Sequence, residues 1–268
     1  MKADLFTIDG KKSRTVDLPI QCVEEYRPDM IHRAFLAYQS RNRQPYGAFH
    51  KAGTRSSAKL SRRRRQYKTS YGHGISRVPR KSLWKRGRQF GWVGAFAPGM
   101  VGGRKAHPPK PHKIFAQKIN KKERRKAIRS AIAATVNPEL VKQRGHKTPV
   151  EYPFIIDGAI EHIAKTKEIK KLLLSLGFEM ELERSAQKKI RAGKGKRRGR
   201  RYQKRKGILI VVSQECPLRE AARGLPGTDV IPAKGLNAHL LAPGARPGRI
   251  TLWTTKALEI METERLFT

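Results

Sequence analysis

Ile208–Val212 reads ILIVV, five apolar residues in a row with no alternation. A strand with one wet face alternates apolar and polar residues, whereas an uninterrupted run suits a parallel strand covered on both faces. The chain around it repeats the theme. Upstream, Phe154–Ile156 is a short apolar run; downstream, Thr228–Ile231 and Ile250–Trp253 read as two more strands. Helical spacing separates them. Ile169, Leu172, Leu173 and Leu176 make one face that stops at Gly177. A short helix over Leu218–Ala222 stops at Gly224, and a helix from about Thr255 to Arg265 closes the chain. Strands alternating with helices predict an α/β fold of three layers, a mainly parallel sheet with flanking helices.

The N-terminal region joins the same domain. Residues 3–8 and 15–20 read as two short strands joined by a turn at Gly10. A helix from about Asp29 places Ile31, Ala34, Phe35 and Tyr38 on one face. Another begins after Asn120, with Glu123 three residues on completing a capping box, and its stripe is Ile128, Ala131, Ile132 and Thr135. Residues 1–41 and 119–268 are thus expected to form one globular domain, since roughly 190 residues suffice for a sizeable core.

Charge sets the class of partner. The 268 residues carry 60 Lys+Arg against 21 Asp+Glu, a net charge of +39. A polyanion relieves the self-repulsion of such a field, because each phosphate contact pairs a cation and releases counterions. No apolar run is long enough to span a bilayer, and MKADLFTIDG lacks the apolar core of a signal peptide. No membrane partner is therefore expected. Cys22 and Cys216 form no CxxC pair, and the reading is two buried or half-buried thiols in a reducing cytoplasm. His107 and His112 lie in HPPKPH, which offers no acidic or thiolate ligand, so no metal is expected there.

The charge is uneven. Met30–Lys122 contains no Asp or Glu in 93 residues but holds 24 Lys+Arg. Within it, residues 42–118 are rich in Gly and Pro and keep no apolar period of two or 3.6. This is expected to be a long extended basic loop outside the core, either functional or disordered. Its aromatics favour function. Tyr46, Phe49, Tyr67, Tyr71, Trp84, Phe90, Trp92, Phe96 and Phe115 are interleaved with cations. Arg and Lys neutralise phosphates while flat rings stack on splayed bases. A second basic run, residues 187–206, reads QKKIRAGKGKRRGRRYQKRK, 12 Lys+Arg in 20 residues, directly before the ILIVV strand. Such a run alone also fits a disordered loop or a nuclear-localisation patch; beside the first loop, a second RNA contact is the better reading.

The residues expected to meet RNA in the first loop are Arg43, Tyr46, Lys51, Arg55, Lys59, Arg62, Arg63, Arg64, Arg65, Tyr67, Lys68, Arg77, Arg80, Lys81, Trp84, Lys85, Arg86, Arg88, Arg104, Lys105, His107, His112 and Lys113. Lys121 and Lys122 follow on the basic helix face KKERRK. The second run adds Arg191, Lys194, Lys196, Arg197, Arg198, Arg200, Arg201, Lys204 and Arg205.

Motifs for nucleotide chemistry fail on inspection. GxxxxGK[ST] does not occur, and Gly72–Arg77 fails GxGxxG at its last position. Gly193-Lys194-Gly195-Lys196 lacks the spacing and Ser/Thr of a phosphate loop. Asp157-Gly158, after a strand, is explained by helix capping. Neither GxSxG nor HExxH is present. No enzyme and no cofactor are expected.

The order of segments is familiar. YGAFHKAGTRSSAKLSRRRRQYKTSYGHGISRVPR is followed by KRGRQFGWVGAFAPGMVGGRKAHPPKPHKIFAQKINKKERRKAIRSAIAAT, and later by RAGKGKRRGRRYQKRKGILIVV. Across essentially the whole chain this resembles the family of large-subunit ribosomal protein four, in its archaeal and eukaryotic branch. The resemblance implies a cytoplasmic, ribosome-bound structural protein that organises large-subunit ribosomal RNA. It implies neighbouring large-subunit proteins as partners, including those at the exit tunnel. The loop is then expected to thread the RNA, with its tip lining the tunnel and meeting nascent peptide transiently. That tip would be Tyr71, Gly72, His73, Gly74, Arg77, Arg80, Trp84, Arg88, Phe90 and Trp92. Eukaryotic members carry a further basic tail, so a chain stopping at Thr268 is expected to be archaeal, and +39 argues against a salt-loving source. A DNA-compacting chromatin-like protein is the alternative that charge alone would serve.

Overall fold

The structure is a computed structural model and describes residues 2–66, 68–87, 89–149 and 152–268. In chain order the elements are β1 (Lys2–Phe6), β2 (Lys12–Asp17), α1 (Pro28–Arg41), β3 (Arg80–Arg86), β4 (Gln89–Gly94), α2 (Lys121–Val136), α3 (Pro138–Gln143), β5 (Phe154–Ile156), α4 (Thr166–Ser175), α5 (Glu179–Ala186), β6 (Lys188–Ile190), β7 (Tyr202–Lys204), β8 (Leu209–Val212), α6 (Leu218–Ala222), β9 (Asp229–Pro232), α7 (Ala238–Leu241), β10 (Thr251–Thr254) and α8 (Thr255–Thr263). The chain divides into two units. The first is Met1–Asn42 with Ala116–Thr268; the second is Arg43–Phe115.

The first unit is built on a six-stranded sheet in the order β2-β1-β5-β10-β8-β9. Only the β1–β2 pair is antiparallel. The ILIVV run forms β8 between β10 and β9, with Ile210 opposite Leu252 on one side and Val230 on the other. Alternate side chains of this strand enter two different cores, because successive Cβ atoms point to opposite sheet faces. Leu209 and Val211 join Leu5, Ile155 and Trp253 under α1, α2 and α8, through Ile31, Ile132 and Met261. Ile208, Ile210 and Val212 join Phe154, Ile156 and Leu252 under α4 and α6, through Leu173 and Leu218. The three-layer α/β arrangement follows from this division.

Local signals place most boundaries. Pro28 opens α1, where a missing N–H costs nothing, and Asp29 in the first turn suits the helix dipole. Gly177 ends α4 with φ +78°, its N–H bonding Leu174 O while Phe178 N–H bonds Leu173 O. Thr254 caps α8, its Oγ1 accepting from Ala257 N at 3.2 Å.

Several expectations need correction. The first strand ends at Phe6 rather than residue 8, because Gly10 N–H bonds Thr7 O and Thr7 N–H bonds Lys11 O, and the second spans Lys12–Asp17 rather than 15–20. Ile20 falls in a short 3-10 turn instead, 76% exposed. The α2 helix does begin after Asn120, but no capping box forms; the Asn120 side chain makes no cap bond, and Glu123 pairs with Arg33 at 2.8 Å. An ion pair to a neighbouring helix displaces the local bond. Asp157 likewise makes no side-chain cap. Finally, the basic segments hold strands: β3 with β4 in the second unit, and β6 with β7 in the run 187–206.

Candidate nucleic-acid interface

In the second unit, the chain from Arg43 to Phe115 bears 19 Lys+Arg and no Asp or Glu. None of these cations can find a carboxylate inside its own unit. Several lie against rings. The Arg43 guanidinium sits 4.2 Å from the Phe115 ring centre and 5.3 Å from that of Tyr46, and these two rings stack at 5.6 Å. Arg55 covers Phe49 at 4.3 Å, Arg80 covers Trp92 at 4.9 Å, and Arg77 lies 5.8 Å from Tyr71. A ring face attracts a cation without neutralising it, so the charge remains available to a polyanion.

Backbone bonds, rather than an apolar face, organise this unit. The β3–β4 ladder runs from Arg80 opposite Gly94 to Arg86 opposite Gln89, with a shift of register between Ser82 and Trp84. Trp84 lies over Gly91 so closely that a Cβ there would come within 2.2 Å of its Nε1, which reserves the position for glycine. Phe90 and Trp92 meet edge to face at 5.0 Å. Ala48 N–H bonds Pro109 O at 2.9 Å, joining the two limbs near their roots. The segment is therefore folded along much of its length by turns and a hairpin.

Arg43, Lys51, Arg55, Lys59, Arg62, Arg63, Arg64, Arg65, Arg77, Lys81, Lys85, Arg86, Arg104, Lys105, His107, His112 and Lys113 are exposed. Lys68 and Arg80 are half-buried. Tyr46 and Trp84 are 53% and 56% exposed. Gly72, His73 and Gly74 are exposed, while Tyr71, Phe90 and Trp92 are half-buried. Tyr67 and Arg88 lie outside the described residues.

The first unit carries the second basic run as a hairpin. Lys188 stands opposite Lys204, Lys189 opposite Gln203 and Ile190 opposite Tyr202. Like charges facing across a ladder destabilise it, and here Lys188 and Lys204 face each other without an acid between them. Lys194, Lys196, Arg197, Arg198, Arg200, Arg201, Lys204 and Arg205 are exposed; Arg191 is half-buried, its Nε donating to Arg200 O at 3.1 Å. On α2, Lys121, Lys122 and Arg124 are exposed, whereas Arg125 turns inward to Thr268 O and Lys126 approaches Glu24.

Sequence reasoning missed the groups that anchor this hairpin. Arg249 is wholly buried and donates to the carbonyls of Gly207, Ile208, Gly227 and Leu240 and to Asp229. Arg184 donates to Lys206 O at 2.7 Å and to both oxygens of Glu181. Glu181 also accepts from Lys147 N and faces His146 Nδ1 at 2.7 Å. Burial alone would raise the Glu181 carboxyl, but the bonds from Arg184 and His146 reverse this and hold it at about 2. Burial lowers His146. The only signal in the sequence was an arginine directly before an apolar strand, which ordinarily reads as surface.

At the opposite, C-terminal ends of β8 and β10, the buried Glu161 carboxylate accepts from Ser213 N and Thr254 Oγ1, both at 2.8 Å, and from Ser213 Oγ. Ligands of doubly wound folds usually enter at this edge; here a side chain of the protein fills it. Burial pushes the Cys22 thiol up to about 12 and also raises Cys216. Among the described residues no group of three or more His, Cys, Asp or Glu could hold a metal ion, and no helix is long and apolar enough to cross a membrane.

Comparison with known proteins agrees with this architecture. Residues 16–264 match the ribosomal protein L4/L1 family. The chain is 50% identical over 268 residues to "Large ribosomal subunit protein uL4" of Nanoarchaeum equitans, covering all of both chains. It is 44% identical to the protein of the same name from Archaeoglobus fulgidus, covering 97% of this chain and 98% of that one. The corresponding protein of Methanocaldococcus jannaschii is 47% identical, with 97% of each chain covered. Matched over nearly its full length by the family and by these archaeal relatives, the chain belongs to the ribosomal protein L4/L1 family.

Proposed function

We propose that this chain is a non-catalytic structural constituent of the large ribosomal subunit, and that it binds and organises large-subunit ribosomal RNA in the cytoplasm. One observation carries the reading: 19 Lys+Arg, unaccompanied by any acid, lie among half-exposed rings in one unit of a chain whose relatives are named for that subunit. Phosphates supply the missing counter-charge, and the rings supply surfaces for unpaired bases. The hairpin at residues 188–204, with its opposed lysines, is a second contact of the same kind. In this reading residues 42–118 thread the RNA. The stretch Tyr71–Phe96 lines the exit tunnel, beside neighbouring large-subunit proteins and in passing contact with nascent peptide.

Crosslinking in cells followed by sequencing of the attached nucleic acid tests the proposal. Reads concentrated in large-subunit ribosomal RNA are expected. Scattered genomic DNA would instead establish the chromatin-like alternative. A photoreactive nascent chain that never crosslinks to residues 71–96 would remove the tunnel assignment while leaving RNA binding intact.

A further inference from the structure

Within the second unit the hairpin borders a cavity of about 560 Å³. Trp84, Phe90 and Trp92 line it from the hairpin, joined by the amide of Gln89. Gln66 and Lys68 line it from the preceding segment. That segment is tied to its surroundings by bridges between Lys59 and Arg80 and between Ser61 and Thr69. Arg65 and Lys68, on either side of Gln66, hold φ of 56° and 61°. Residues other than glycine enter this region at a cost, and such strain concentrates where a ligand is gripped.

The lining has a definite chemistry. Three indole and phenyl rings provide flat apolar surface, two primary amides provide paired donors and acceptors, and one ammonium provides charge; Thr69, His73 and Ile75 complete the lining. No carboxylate is present anywhere in the unit. Four consecutive arginines, Arg62–Arg65, lead into Gln66, all exposed. A ligand that satisfies this lining is flat and aromatic, carries hydrogen-bonding edges, and is attached to an anionic backbone. A peptide segment meets only part of that description, because the surrounding cations would repel its basic residues and its backbone brings no charge.

We infer that the cavity holds a single unstacked nucleobase of an RNA strand, packed against the Trp84, Phe90 and Trp92 group, with Gln66 and Gln89 meeting its polar edge. The inference rests on the RNA-binding reading above and names the part of the nucleotide that this place takes. Arg62–Arg65 then meet the flanking phosphates, so backbone contact and base contact occupy adjacent stretches of chain.

The test uses the full-length protein and two short single-stranded RNA oligomers of equal length, one normal and one abasic throughout. Trp253 is 1% exposed in the core of the first unit, so ligand-dependent fluorescence changes report on Trp84 and Trp92. The normal oligomer is expected to quench the indole emission and to bind more tightly than the abasic one. Base–ring stacking predicts that Trp84→Ala weakens the normal oligomer about five- to a hundredfold, while the abasic oligomer changes by less than about twofold. Trp84→Phe should restore most of the discrimination, which separates loss of a ring from loss of fold. If normal and abasic oligomers bind equally and neither quenches, the base-pocket inference is wrong and phosphate binding stands. If neither binds, the RNA-binding reading itself fails. Quenching by a short neutral peptide that displaces the normal oligomer would give the cavity to a peptide and overturn the inference.

Discussion

Arg249 and Asp229 meet where β8, β9 and β10 begin: Nη2 lies 2.6 Å from Oδ2, the arginine wholly buried and the aspartate 31% exposed. The same guanidinium donates to four backbone carbonyls, among them Gly207 and Gly227, which precede β8 and β9. One side chain thus satisfies the entry points of two strands and ties them to a third. Replacing one partner of a buried ion pair typically costs about 3–5 kcal/mol, because the remaining groups stay desolvated without partners. Arg249→Met is expected to lower unfolding free energy by about that amount. Asp229→Asn should cost less, since its partner keeps four carbonyls. The double variant should cost less than the sum. Urea unfolding of the three variants checks this, and strict additivity would show that the pair is not coupled.

Stability should fall in acid in two windows. His146 titrates below its ordinary value because of burial. Glu181 titrates at about 2, where hydrogen bonds from Arg184 and His146 outweigh the effect of burial. In both cases the unfolded chain binds protons more readily than the folded one, so protonation favours unfolding. The His146 contribution is complete above about pH 6.5 and is lost as pH falls through its lower folded value. The Glu181 contribution is complete above about pH 4.5 and is lost toward pH 2; it is on the order of 3 kcal/mol. Urea unfolding at pH 7, 5 and 3 should show the decline. Glu181→Gln should flatten the lower window and deepen the upper one, because the Glu181 carboxylate holds His146 up against the effect of burial.

The first unit should fold without the second. None of the residues in its hydrophobic clusters lies between 43 and 115. The ends that flank the second unit are already held together, Gln117 N–H donating to Ser40 Oγ at 2.9 Å. A short Gly/Ser linker in place of Arg43–Phe115 is expected to leave the thermal midpoint within a few degrees. Loss of cooperative unfolding in this variant would show that the second unit belongs to the core.

Affinity for RNA should depend steeply on salt. With about 10 phosphate contacts, log K should fall against log salt with a slope of about −7 to −9. Replacing Arg62–Arg65 with lysine keeps the charge but removes the planar fork that bonds two phosphate oxygens at once. Weaker binding with a nearly unchanged slope is the expected result. A slope near −1 for the parent protein would sink the phosphate argument.

Regular elements with apolar faces were legible in the sequence. ILIVV reads as a buried strand because nothing in it tolerates water, and Gly177 reads as a stop because it follows a complete helical stripe. The β3–β4 hairpin was not legible. Its first strand, RKSLWKR, has no alternating face, and the ladder rests on backbone bonds and on Trp84 settling over Gly91. The α5 helix was hidden for a related reason: its buried side of GFEMELERSA includes Glu181, a carboxylate that a periodicity argument assigns to solvent. Among the interface residues, exposed cations could be foreseen from the absence of acids. The nearness of Gln66 to Gln89 could not, because it depends on how a segment without periodicity folds back on a hairpin.

The bond between Ser40 and Gln117 also bears on how long the second unit can be. Closing a flexible connection costs free energy that grows only with the logarithm of its length. Bridging these two ends with 73 residues instead of ten therefore adds only about 2 kcal/mol to the closure entropy. Once the two ends are pinned, the globular unit is almost indifferent to how much chain lies between them. The length of the cationic segment is left to be set by the depth of whatever it enters.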